Sequence, residues 1–238
     1  MRRPYGPWVP TTQALLRHLE AHEFPAPRPL GIDESGREVL SWVPGVSTWD
    51  EHARYWSSAG SLIEAAKLVR RLHDVLDLFE PPDDAVWRGG WDRPDDGPIC
   101  HNDLAPYNFV VAANGSLSII DWDGSGPGDR IAEVAGAIRG FALLRRDSLC
   151  EKLGYSPPPR REERIEVFFQ AYGLSDASRP VLAEALIHHA RGGVAFGEAM
   201  YAEGREPFAS WWAADQGAGD KEDLVVTEEV VDEWLRHQ

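Results

Sequence analysis

Lysine is nearly missing from this chain. Among 24 basic residues in 238, only Lys67, Lys152 and Lys221 are lysines, and 39 acidic residues bring the formal net charge to -15. A surface of that sign repels phosphate backbones at long range, so nucleic acid is excluded as a partner and cations are favoured. Cysteine is equally scarce. Cys100 and Cys150 cannot build the disulfide framework of a small secreted domain, and with no signal-peptide pattern they fit a reducing cytoplasm. Cys100 lacks an activating partner in the sequence and reads as a small buried residue. No apolar run approaches the roughly 20 residues that a bilayer-spanning helix requires, so no membrane role is expected. Glycine is thin at the start: the first thirty residues contain Gly6 alone. The chain is nevertheless long enough to bury a core without covalent staples.

What is present is concentrated in one stretch. His101-Asn102-Asp103-Leu104-Ala105-Pro106-Tyr107-Asn108 leads into Phe109-Val110-Val111, and Leu117-Ser118-Ile119-Ile120 leads into Asp121-Trp122-Asp123. Asn114-Gly115 between the two apolar runs is the strongest short-range hairpin signal. With Asn114 and Gly115 as its two central residues, Asn108 and Asp121 face each other as a cross-strand pair, roughly 5 Å apart at Cβ. An amide oxygen and a carboxylate at that spacing suit Mg²⁺, a hard ion that leaves its other positions to water and phosphate. Asp103 is then placed to accept the proton of an attacking hydroxyl, which points to phosphoryl transfer. The plainer alternative, a hairpin with surface Asp and Asn, leaves the spacings of His101, Asp103 and Asn108 unconnected.

These residues meet the kinase catalytic pattern H-R-D-L-x-x-x-N except that Asn102 replaces Arg, and Asp121 stands in the place of the Asp of D-F-G. With Asn102, Ala105-Pro106-Tyr107 and Ile120-Asp121-Trp122-Asp123, the chain resembles the aminoglycoside phosphotransferase family, the small-molecule branch of the protein-kinase-like fold. Further segments carry the resemblance over about residues 1 to 145: Pro29 to Asp33, Gly36 to Gly45, Leu72-His73-Asp74 and Gly126 to Arg130. It implies an α+β, bilobal fold with a reduced N-terminal lobe over residues 1–45 and a mostly helical C-terminal lobe over 46–238. It also implies ATP as phosphoryl donor and Mg²⁺ as cofactor, with Asp103 as catalytic base and Asn108 and Asp121 as metal ligands. The backbone of Ser41, Trp42 and Val43 becomes the adenine-contacting hinge. His101 braces the backbone that carries the base, and Glu133 anchors the loop. Asp123 is either a second metal contact or a loop-fixing carboxylate.

The N-terminal side departs from that family. A kinase-like enzyme needs a glycine-rich turn over the phosphates and a strand Lys paired to a helix Glu. All three lysines follow the hinge-like segment, and the helix Glu would fall at Thr12 or Gln13 in a helix over Thr11 to Glu20 with Thr11 or Thr12 as its N-cap. Arg2 and Arg3 sit about where the Lys belongs, and a guanidinium binds phosphate in a fork; the plain alternative is a solvated chain end. Either upstream strands are missing from the chain or the lobe is reduced by nature. A lobe cut in this way exposes a sheet edge, and a homodimer or a covering contact is expected there.

Beyond the hinge the sequence reads as helices. Ser61 to Leu78 carries an apolar stripe of Leu62, Ala65, Ala66, Val69, Leu72 and Leu76. Trp87 to Pro98 is turn-rich, and Ile131 to Leu144 is an apolar helix. Arg161 to Tyr172, Arg179 to Glu203, a Trp211-Trp212 segment and Thr227 to Arg236 follow. His188, His189 and Glu198 lack zinc spacing and read as packing and surface residues. Trp211 and Trp212 either line an acceptor pocket or close the core. The acidic runs Asp83-Asp84, Asp92 to Asp96 and Glu162-Glu163 would suit a cationic small-molecule acceptor, or are solvated faces. Two functions follow: transfer of the ATP γ-phosphate to a small-molecule hydroxyl, or a catalytically impaired binding, immunity or regulatory protein. A metal-dependent hydrolase has no supporting motif.

Overall fold

The computed structural model describes residues 1–49, 51–88 and 96–236. The acidic run at Asp92 to Asp96, apart from Asp96 itself, lies outside the described residues, as does the middle of the turn-rich stretch from Trp87 to Pro98. The fold is α+β, with small sheets in the N-terminal half and helices from residue 130 onward. It divides into two compact units, Met1–Asp50 with Lys67–Glu133, and Glu51–Ala66 with Val134–Gln238.

The first unit begins with β1 (Arg2–Arg3), α1 (Val9–Ala21), β2 (Pro29–Ile32) and β3 (Glu38–Leu40). These strands form an antiparallel sheet in the order β1-β3-β2, so β3 is central and pairs Arg3 directly with Glu38. Helix α1 starts two residues earlier than its Thr pair suggests, because Pro10 fills a first-turn position where no N–H is needed. Thr11 and Thr12 are therefore buried helix residues and not caps, and Thr11 Oγ1 accepts from Val86 N at 2.9 Å. Leu15, Leu16 and Leu19 are fully buried, as the apolar face of an amphipathic helix must be.

Next come β4 (Val46–Ser47), α2 (His52–Trp56) and α3 (Ala59–Leu76), then β5 (Ile99–Cys100), β6 (Phe109–Val111), β7 (Leu117–Ile119) and β8 (Gly126–Pro127). A second sheet runs β4-β6-β7, and β5 pairs β8. Gly45 permits the first pairing: a Cβ there would come within 2.5 Å of both Val110 Cγ1 and Val111 O. The stripe on α3 is buried throughout, with Leu62, Ala65, Ala66, Val69, Leu72 and Leu76 at most 2% exposed.

The second unit is helical: α2, the start of α3, most of α4 (Arg130–Phe141), α5 (Asp147–Lys152), α6 (Arg161–Tyr172), α7 (Arg179–Ala202), α8 (Phe208–Asp215) and α9 (Ala218–Arg236). Its core is aromatic. Trp56 meets Phe141 edge-on at 4.8 Å, Phe141 stacks on Phe168 at 5.7 Å, and Phe169 meets Trp234 at 5.6 Å. The buried guanidinium of Arg164 donates to the carbonyls of Trp56 and Phe141 at 2.8 and 2.6 Å, satisfying backbone groups inside this core. Helix α9 begins nine residues before Thr227, since Thr227 is an interior residue whose hydroxyl bonds back to Asp223 O at 2.7 Å. The two tryptophans of α8 differ in burial. Trp212 is buried between Gly197 and Gly217, where any Cβ would strike its ring at 2.2 Å, whereas Trp211 is 65% exposed at the rim of a cavity of about 280 Å³.

Candidate functional site: the loop of residues 101–108 and its aspartates

The hairpin that carries the site is tied one residue away from the symmetric register. Phe109 pairs Ile119, Val110 pairs Ser118 and Val111 pairs Leu117, and Ile120 N donates to Asn108 O at 2.9 Å. Asn108 therefore faces Ile120, not Asp121. The cause is the turn, a three-residue connection of Ala113, Asn114 and Gly115 closed by Ala112 N to Ser116 O at 2.9 Å, with Gly115 at φ +82°. This is the turn followed by a left-handed bulge that Asn-Gly also favours, and a shift of one residue sends a side chain to the other face of a strand. Asp121 escapes that consequence by leaving the strand. It adopts φ 65°, ψ 66° and opens a 3-10 turn over Trp122–Gly124.

Asp103 lies in a fully tied loop. Its Oδ1 accepts from Tyr107 Oη at 2.6 Å and its Oδ2 from Asn108 Nδ2 at 2.9 Å, while the same amide donates to Asp103 O at 2.9 Å. With both amide hydrogens used, Asn108 Oδ1 is the atom left for a cation. His101 is completely buried; its Nε2 bonds to Ile120 O at 3.0 Å and its Nδ1 accepts from Asp103 N at 3.2 Å. That pair of bonds requires a neutral ring protonated on Nε2. Trp122 packs edge-on against His101 at 4.6 Å, a rigid floor for the loop.

Glu133, at the start of α4, anchors the other side. Its side chain is 1% exposed; one oxygen takes His73 Nε2 at 2.7 Å and the other the backbone N–H of Asn102. Burial alone pushes this carboxyl up, but the hydrogen bond and charge of His73 and the Asn102 N–H together hold it below the usual carboxylate range. Asn102, the position where the kinase pattern has Arg, sits at φ 68° and donates to Gly124 O and Gly126 O at 3.1 and 3.2 Å. A short amide side chain tolerates the left-handed region and ties the loop to the segment after Asp121. At the hinge-like segment, Ser41 N donates to Arg28 O at 2.9 Å and Ser41 Oγ accepts from Arg28 N at 2.8 Å, while Trp42 is 72% exposed. Val43 is half-buried.

Arg3 is the residue that the pattern alone does not reveal in this role. Its Nε and Nη2 donate to Glu38 Oε2 at 3.2 and 3.0 Å, Nη2 also reaches Asp123, and Nη1 lies 3.5 Å from Asp121 Oδ1. Arg88 adds a second guanidinium, 2.9 Å from Asp123 Oδ2. Asp123 is thus held by two arginines. Three carboxylates and two guanidinia share this corner, a balance visible only after β1 pairs with β3.

The arrangement is that of the protein-kinase-like fold. Solved structures with the same fold include a choline/ethanolamine kinase family protein from Mesorhizobium loti, 16% identical with a TM-score of 0.56 over 92% of this chain and 83% of that one. Another is an aminoglycoside phosphotransferase from Alicyclobacillus acidocaldarius, 13% identical with a TM-score of 0.53 over all of this chain and 86% of that one. Residues 85–185 match the model of the phosphotransferase enzyme family, APH. A trifolitoxin immunity protein from Rhizobium leguminosarum bv. trifolii is 34% identical over 191 residues, 78% of this chain and 72% of that protein. The chain belongs to the APH phosphotransferase family and has its protein-kinase-like fold.

That family implies ATP and Mg²⁺. The donor types at Asn108 and Asp121 suit the ion, but the arrangement does not fit it, because the Asp121 and Asp123 carboxylates already hold guanidinium partners. Among the described residues, no group of three or more His, Cys, Asp or Glu side chains is disposed to hold a metal ion, and no helix is long and apolar enough to cross a membrane.

Proposed function

We propose that this chain is an immunity-type member of its family, which protects its producer by binding a toxin, with the loop of residues 101–108 kept as a rigid recognition frame. The observation that carries this reading is the Arg3 guanidinium at Asp121 and Asp123, where the family's chemistry calls for a metal-bound phosphate. The likeness to the trifolitoxin immunity protein supports it over most of the chain. So do the left-handed backbones at Asn102 and Asp121, since strain of that kind persists where a surface is held in one shape for a ligand. Cys100 and Cys150 are unpaired and buried, which suits a protein working in the cytoplasm.

A second reading is favoured by one observation, the intact Asp103 frame. In phosphoryl transfer to a small-molecule hydroxyl, Asp103 would accept the hydroxyl proton while Tyr107 and Asn108 hold its carboxylate in one orientation. Asn108 and Asp121 would then be the family's ligand positions, Ser41 to Val43 its hinge, and the acceptor a cationic molecule drawn by the acidic surface.

Asp103→Asn separates the two, because it preserves the acceptor for Tyr107 and removes the base. Expressed in a toxin-sensitive host, the wild-type chain is expected to protect, and Asp103→Asn to protect equally. Loss of protection in a folded Asp103→Asn chain, together with γ-phosphate label on the toxin in the wild type, would overturn the binding reading.

A further inference from the structure

We infer that Arg3 is a tethered cation that takes the place of a divalent ion at Asp121 and Asp123, so that metal binding at this corner requires Arg3 to leave. The register puts it there. Arg3 lies directly across the β1–β3 ladder from Glu38, so its guanidinium is delivered by paired backbone and not by a loose side chain. Glu38 is completely buried, and among the described residues Arg3 is its one ion-pair partner.

How the guanidinium is used tells where it is aimed. An Arg–carboxylate pair is strongest as a fork on two oxygens. Here both donors on that side converge on Glu38 Oε2, and Glu38 Oε1 is left buried with no partner among the described residues. The fork is given up so that Nη2 also reaches Asp123 and Nη1 turns to Asp121. An orphaned carboxylate oxygen is costly, and what offsets it is contact with two further carboxylates. A guanidinium cannot lose its proton, so the charge stays in place at any physiological pH.

Position, and not net charge, gives the consequence. With Arg3 in place its guanidinium lies against the Asp121 and Asp123 oxygens that a divalent ion would need, and its fixed charge repels the ion at contact distance. Remove Arg3 together with the Glu38 charge and the net charge of the corner is unchanged, but Asp121 loses its guanidinium and Asp123 keeps that of Arg88. The inference goes beyond the immunity reading, since metal affinity is measured without toxin, protection or transfer.

The test uses the full chain and Mn²⁺ alone, with free Mn²⁺ counted by electron paramagnetic resonance. Glu38→Gln retains Arg3 and is expected to bind Mn²⁺ as weakly as the wild type. Arg3→Met with Glu38→Gln removes the cation without leaving a buried carboxylate unpaired, and is expected to bind Mn²⁺ at least tenfold more tightly. Adding Asp121→Asn should abolish the gain. Equal affinity in the wild type and the double variant, or a gain that survives Asp121→Asn, overturns the inference. A second measurement needs no variant: the Arg3 Nε–H resonance should stay unshifted as Mg²⁺ is raised to millimolar levels. A saturable shift of that resonance would overturn the inference independently.

Discussion

The loop frame around Asp103 and the N-terminal sheet around Glu38 solve the same problem, holding a carboxylate in place, by opposite means. In the loop each group is tied more than once: His101 to two backbone atoms, Asn102 to two carbonyls and a carboxylate, Glu133 to an imidazole and an amide. In the sheet, one guanidinium serves Glu38, Asp121 and Asp123, and a buried oxygen goes without. The difference teaches that the loop is over-determined while the sheet balances on a single residue. Changes in the loop should cost stability, and changes at Arg3 should alter what the site binds.

The largest effect is expected from Glu133→Ala. It removes the buried carboxylate to which His73 Nε2 and the Asn102 N–H donate and should lower unfolding stability by about 3–5 kcal/mol, measured by urea denaturation. A loss under 1 kcal/mol would break the comparison, because the loop frame would then be no firmer than its surroundings.

Acid sharpens the comparison by sparing the loop. In the second unit, His52 is completely buried between Tyr155 Oη at 3.0 Å and Gly140 O at 3.2 Å, and burial with the nearby Arg164 charge lowers its pKa from 6.5 to about 4. The folded state therefore holds the neutral ring. Its contribution is complete above pH 6.5 and is lost as pH falls toward 4, on the order of 3 kcal/mol in all. Glu133 is depressed too, but its contribution is complete above the unfolded value near 4.5 and is lost only below it. As pH falls from 6.5 to 4.5, stability against denaturant should weaken through His52, and His52→Gln should flatten that part of the profile.

The smallest effect is expected at Arg3. Because its side chain is 17% exposed, Arg3→Met should cost about 2 kcal/mol, the scale of a hydrogen-bonded charge. Glu38→Gln added to it should recover part of that loss, since no charge is then left buried. A thermal-melt cycle of the two single variants and the double measures the coupling directly; additivity would show that the sheet does not depend on the pair.

The helices of the second unit were the most legible part of the chain. Arg161–Tyr172 and Arg179–Ala202 are long runs, the first ended by Gly173 and the second opened by Pro180, and local physics sets those ends. The loop was legible as a motif, and Asp103, Asn108 and Asp121 were named from spacing alone. The register was not, because Asn-Gly serves both a two-residue turn and a bulged three-residue one, and the choice rests on how β6 and β7 pack. Tyr107 carried a faint signal, an aromatic hydroxyl four residues after Asp103, whereas the Arg3–Glu38 pairing spans 35 residues and carried none.

Composition and motif by themselves determined the family, the helical character of the C-terminal half and the identity of the polar residues in the loop, because each is written in neighbours a few positions apart. The tertiary structure alone decided which cation stands at Asp121. That outcome depends on a two-residue strand finding its partner and on a buried carboxylate finding a charge. Both are long-range events in which the free energy of burial, and not any local preference, makes the choice.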